Sequence, residues 1–219
     1  DNIEMLDRLG FLGERTFLHH CVHATRGEIA RMAATGTTAV HCPGSNGMLG
    51  SGVAPIAAFL EAGVRVAIGS DGAPCNDALD IRGEMWAAKV LAGAHFQDST
   101  KLSPLQILAM ATTGGMRGLG MQEELGQIAV GFRADLVFWD QSDWTNFVDL
   151  EEDRDEIGRL VRTHGAAREV YIDGQQVVAD GQPLFIVDRS LFRRLLNERV
   201  TALNTRSRTL RVPIPWLET

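Results

Sequence analysis

The stretch VRVAIGSDGAPCND, residues 64–77, decides how this chain is read. A run of β-branched and small apolar residues ends in Gly69 and Ser70, and a lone carboxylate, Asp71, follows beside Gly72. An apolar run bounded by turn residues reads as a buried strand, and here an acid stands where that strand runs out. Two earlier segments have the same form. TFLHH (16–20) ends in His19 and His20 with Cys21 next, and TTAVH (37–41) ends in His41, followed by Cys42, Pro43, Ser45 and Asn46. Between the three lie TRGEIARMAATG (25–36) and VAPIAAFLEAG (53–63), amphipathic segments stopped by glycine that read as helices. The order is therefore β-α-β-α-β, with parallel strands, because each strand returns through a helix.

Further out, NIEMLDRLGFLG (2–13) has helical spacing, a helix is expected over roughly 78–94, and Ser103-Pro104 opens another that carries LQILAMATTGGMRGLG (105–120). After Met121 the texture turns to strand and turn. In AAREVYIDGQQVVADGQPL (166–184), Asp173-Gly174 and Asp180-Gly181 supply tight turns between β-branched runs. An acidic, loop-like insert starts at Gln141, an amphipathic helix starts at Asp188, and VPIPWLET (212–219) reads as an extended tail. Three regions result: an α/β unit over 1–120, a small β subdomain with an acidic insert over 121–187, and a C-terminal helix and tail over 188–219.

Composition narrows the class. The 219 residues are 45% hydrophobic with a formal net charge of -7, acids and bases interspersed, so no basic stripe is present to gather nucleic-acid phosphates. No apolar run approaches the ~18 residues that would span a bilayer. Three cysteines, Cys21, Cys42 and Cys75, favour reduced thiols over a disulfide framework, hence a cytoplasmic setting.

Parallel strands present their carboxyl ends on one rim, so His20, His41 and Asp71 are expected to converge there. Imidazole nitrogen and carboxylate oxygen are what a divalent cation such as Zn²⁺ takes as ligands, and water bound to it ionises near neutral pH. A neighbouring imidazole can orient that water or steady charge on the substrate. Taken singly, each residue has a plainer reading: Asp71 as a cap or Asx turn, His20 as a satisfied imidazole, HCPGSN (41–46) as a turn with Ser45 and Asn46 capping, and the cysteines as packing. His19, His23, His95 and His164 carry no signal of their own.

The segments LHHCVHAT (18–25), TAVHCPGSNGMLGSGVAPI (38–56), GVRVAIGSDGAPCND (63–77) and LGQIAVGFRADLVFWD (125–140), in that order, resemble the amidohydrolase superfamily, in the branch of deaminases and chlorohydrolases. The resemblance implies the last three strands and helices of a (β/α)8 TIM-like barrel, with part of a small β-sandwich. By the same resemblance Asp71 is a metal ligand that also moves a proton, and His20 stands near the metal as a catalytic group. His41, Ser45 and Asn46 border the substrate pocket, Cys75 and Asn76 shape it, and Arg133, Ala134 and Asp135 are architectural. One Zn²⁺ or Fe²⁺ per complete site is implied. The implied reaction is metal-activated water attacking an amino-substituted purine, pyrimidine or triazine, most commonly with loss of ammonia.

The departures are equally plain. The family's His-x-His pair, its fifth-strand metal histidine and its catalytic glutamate precede the sixth strand, and no His-x-His occurs in this sequence. The chain is therefore expected to be the C-terminal half of such an enzyme, inactive alone and partnered by the N-terminal half, with a homo-oligomer as a family expectation. Two readings from other classes stand beside it. One is a non-catalytic remnant that binds through a sheet edge. The other is a cysteine hydrolase using Cys21, Cys42 or Cys75, although no nucleophile motif surrounds them.

Overall fold

A computed structural model describes residues 2–76, 78–140, 156–162, 165–185 and 188–209. The insert over 141–155, His164 and the tail lie outside the described residues. The fold is α/β. Strands β1 (Phe17–His19), β2 (Thr38–His41) and β3 (Arg65–Ile68) form a parallel sheet in the order β1-β2-β3. The pairings Phe17↔Thr38 and Thr38↔Arg65 put all three strands in one register. All four residues of β2 are buried, as a central parallel strand covered on both faces requires.

Helix α1 (Asn2–Arg8) precedes the sheet and α2 (Arg26–Thr35) joins β1 to β2. Thr25 and Glu28 form a reciprocal capping box at the start of α2, and Gly36, at φ 71°, closes its end in the left-handed conformation that glycine adopts without strain. HCPGSN is not a turn. Pro43–Met48 is a short helix, α3, which begins two residues after the last residue of β2, with Pro43 in its first turn. Helix α4 (Ile56–Glu61) leads into β3, and α5 (Ile81–Phe96) starts at Asp80, whose carboxylate accepts from Arg82 N.

The segment after Ser103 was expected to be one helix and is broken into three. Helix α6 (Pro104–Ala109) passes through a π-turn at Met110–Gly114 into α7 (Gly115–Leu119). The Thr112 and Thr113 hydroxyls donate to the Leu108 and Ala109 carbonyls four residues back, a pattern that bends a helix. The widened turn lies directly on β3: a Cβ built on Gly114 would stand 2.1 Å from the Val66 carbonyl oxygen. Only glycine permits that approach.

The core sits between this sheet and its helices, around Ile29, Met32, Phe59, Val66, Ile107 and Met110. The second region holds an antiparallel sheet of β4 (Leu136–Trp139), β5 (Ala167–Ile172), β6 (Gln175–Ala179) and β7 (Gln182–Pro183), in that order. Asp173-Gly174 and Asp180-Gly181 make its tight turns, with positive φ at both residues of each. Asp135 accepts from Asp173 N and Arg133 pairs with the Asp173 carboxylate at 3.0 Å, the architectural use expected of the Arg133–Asp135 segment. The buried Arg82 of α5 links the two regions: it donates to the carbonyls of Leu160, on helix α8 (Glu156–Arg162), and of Gly165, and stacks over Trp139 of β4. Helix α9 (Arg189–Thr209) closes the described chain, and Phe192, Leu196, Val200 and Leu203 on it are all exposed.

Gly114 and Gly115 separate steric from propensity effects. Gly114→Ala should destabilise the protein by about 2 kcal/mol, because the new methyl group cannot fit against β3. Gly115→Ala, whose Cβ would meet nothing nearer than 3.9 Å, should be neutral or stabilise by up to ~1 kcal/mol. Urea unfolding of the two variants measures the difference.

Candidate functional site

The carboxyl ends of the three strands share one rim. His20 follows β1, His41 closes β2, and Asp71 lies three residues beyond β3. His20 Nε2 stands 3.7 Å from Asp71 Oδ2, with side-chain exposures of 41% and 28%, so both groups can be reached from solvent. The pair that sequence spacing places on one rim is thus brought together.

Helix α3 supplies a partner to each of them. Ser45 Oγ donates to Asp71 Oδ2 at 2.7 Å, and Asn46 Oδ1 lies 2.9 Å from His20 Nδ1. With the Asn46 oxygen toward the ring, Nδ1 is the donor of that bond, and Nε2 is the ring nitrogen that faces Asp71. Ser45 and Asn46 are 0% and 1% exposed, so their side chains reach Asp71 and His20 rather than open space. They do not cap a turn.

Asp71 also accepts from Gly72 N at 2.7 Å through Oδ1. The Ser45 hydroxyl first, then the Gly72 amide and the nearby His20, hold its carboxyl below the usual aspartate range. The backbone supports this placement at a cost. His20, Cys21 and Asp71 have φ of 66°, 49° and 62°, a left-handed conformation unfavourable for residues with a Cβ.

His41 was expected to border the pocket. Its side chain is buried, 2% exposed, with Nδ1 lacking a hydrogen-bond partner among the described residues. Burial pushes its pKa down to about 4. Cys75 is half-buried in a short 3₁₀ turn (Ala73–Cys75) after Asp71, and Asn76, 7% exposed, donates through Nδ2 to the Ser70 carbonyl. Burial raises the thiols of Cys21 and Cys42 to about 11, which keeps both protonated at neutral pH and denies them nucleophilic character.

Sequence reading missed Glu84. This carboxylate is 3% exposed on α5, accepting Gly44 N at 2.8 Å and Asn76 Nδ2 at 2.6 Å. Its signal in the sequence is position: Glu84, Ala88 and Ala92 share one stripe of α5, an acid on an otherwise apolar face.

Among the described residues, no group of three or more His, Cys, Asp or Glu could hold a metal ion. Asp71 offers the right kind of donor, with His20 beside it, which is fewer than the three protein ligands of a catalytic zinc. His20 also lines an open groove of 830 Å³ along β1, with Ile3, Leu6, Phe17, Leu18 and Ser51.

A family model described as "Amidohydrolase family" matches residues 2–177. The 5-methylthioadenosine/S-adenosylhomocysteine deaminase of Moorella thermoacetica is 43% identical over 138 residues, covering 63% of this chain and 32% of that protein. The structure of an adenosine deaminase from Xanthomonas campestris with bound zinc superposes with a TM-score of 0.86 at 33% identity, covering 93% of this chain and 46% of the other. An atrazine chlorohydrolase from Arthrobacter aurescens complexed with zinc gives 0.76 at 29% identity, covering 90% and 43%. The chain spans about a third to a half of the length of these three proteins.

Two measurements test this geometry. Ser45→Ala removes the main influence on Asp71, so its carboxyl should titrate closer to the ordinary aspartate value, read by carbon NMR of the side chain. His41 binds a proton near pH 6.5 when unfolded and only near pH 4 when folded, so the unfolded state holds more protons between those values. Stability should fall by on the order of 3 kcal/mol as pH drops across that window, and urea unfolding of His41→Gln should lack this component.

Proposed function

Because the chain belongs to the amidohydrolase family, we propose that it supplies the Asp71 and His20 side of the active site of a zinc-dependent hydrolase that removes the amino group of an adenosine-like heterocycle. The observation that carries the reading is the approach of Asp71 and His20 at the mouth of three parallel strands. It is joined by 43% identity to a deaminase of methylthioadenosine and S-adenosylhomocysteine. On this reading the sheet is the last three strands of a (β/α)8 barrel, and the antiparallel sheet is part of its β-sandwich. Three free cysteines support a reducing, cytoplasmic setting.

Asp71 would be one ligand of the metal, with the remaining ligands from residues outside those described. Zinc, when bound, lowers the pKa of its water toward neutrality. The carboxylate of Asp71, kept ionised by Ser45 and Gly72, accepts a proton from the attacking water and returns it to the departing nitrogen. A carbon–oxygen bond forms at the ring carbon, the carbon–nitrogen bond breaks, and ammonia leaves. His20, whose Nδ1–H is held by the Asn46 oxygen, presents Nε2 to the same space and so orients the water. Ser45 and Asn46 serve substrate binding by fixing these two groups, and Cys75 and Asn76 shape the wall after Asp71. His41 acts from the interior, as a buried residue.

Asp71→Asn in the zinc-loaded full-length protein should lower ammonia release from methylthioadenosine by about a thousandfold or more, because the variant removes both a ligand charge and the proton acceptor. Unchanged turnover would overturn the assignment. No turnover by the parent protein on any aminopurine, aminopyrimidine or aminotriazine would favour a non-catalytic binding module.

A further inference from the structure

We propose that Glu84 is a positioning residue that fixes helix α3, and through Ser45 and Asn46 sets the placement of Asp71 and the orientation of the His20 ring. Its carboxylate touches neither group. One oxygen accepts the Gly44 amide in the first turn of α3 and the other accepts Asn76 Nδ2, whose same nitrogen donates to the Ser70 carbonyl just before Asp71. A single buried acid thus bridges the helix that follows β2 and the loop that follows β3. The residues directly after Gly44 are Ser45 and Asn46, so the Gly44 bond sets the start of the turn from which both side chains project. The fit leaves no slack: a Cβ built on Gly44 would stand 2.4 Å from Glu84 Oε1. Glu84 lies in the first turn of α5, where the helix dipole favours a negative charge. A carboxylate is also the only side chain of this length that accepts on both oxygens, since an amide turns one of them into a donor.

Glu84→Gln should therefore free either Gly44 or Asn76. The signature is the His20 Nδ1 proton, held by Asn46 in the parent and identified by its loss in Asn46→Ala. In Glu84→Gln that proton should exchange with solvent about tenfold faster by nitrogen-edited NMR. In the full-length protein kcat should fall about tenfold while KM changes less than about threefold, because binding contacts are kept and only the reacting groups move. Gly44→Ala, which displaces the carboxylate without removing it, should give the same two changes. Unchanged exchange in whichever variant folds, or loss of the fold in both, would assign Glu84 to stability alone and overturn the proposal. The kinetic arm rests on the deaminase reading. A proton that exchanges faster in a protein without turnover would support the positioning role while rejecting that reading.

Discussion

The site depends on one junction: β2 passes into α3 with only Cys42 between them. Because β2 is the middle strand of a parallel sheet, its register against β1 and β3 fixes where α3 begins, and α3 can then reach residues on both sides. Ser45 captures the group after β3 and Asn46 the group after β1. These partners are 26 residues away in each case, so the contacts exist only if all three strands point the same way. A loop of ordinary length after His41 would lose that precision, since its own freedom would pass to the side chains it carries.

Such precision is held against a backbone that resists it. Left-handed φ at His20, Cys21 and Asp71 costs of order 1 kcal/mol or more at each residue and persists only where the surroundings over-determine the conformation. The determinants are visible. His20 N still donates to the Val40 carbonyl, Gly69 N donates to the His41 carbonyl, and Asp71 is fixed from both sides by Ser45 and Gly72. Strain at both outer strand ends turns the chain so that His20 and Asp71 face each other.

The elements with clear period or punctuation were legible in the sequence. Three strands, the Thr25-to-Gly36 helix and both Asp-Gly turns stand where periodicity and turn chemistry put them, and the convergence of His20 with Asp71 followed from the parallel order. Helix α3 was hidden because Pro, Gly, Ser and Asn are turn formers and six residues are too few to show a helical period. The π-turn was hidden for a different reason: it reflects the closeness of Gly114 to Val66, a tertiary contact that no local window contains. Side-chain partners were the least legible part. Nothing near Gly44 in the sequence announces Glu84, 40 residues on, and the burial of His41 depends on what packs around the rim.

Where the fold gives up stability is itself informative. Thr38 Oγ1, His41 Nδ1 and Asn46 Nδ2 are buried side-chain atoms without a hydrogen-bond partner among the described residues, and all three belong to β2 or α3. Each such orphan costs about 1–3 kcal/mol. At Thr38 the cause is tight packing, because Gly118 of α7 comes so close that its Cβ would stand 2.9 Å from Oγ1. At Asn46 the cause is allegiance: its oxygen is committed to His20, which leaves the amide nitrogen without a partner. Replacing Asn46 by an apolar residue of similar size would remove the orphan and could raise stability, but it would free the imidazole to turn. The polar residue is therefore better explained by the orientation it imposes on His20 than by any stability it contributes.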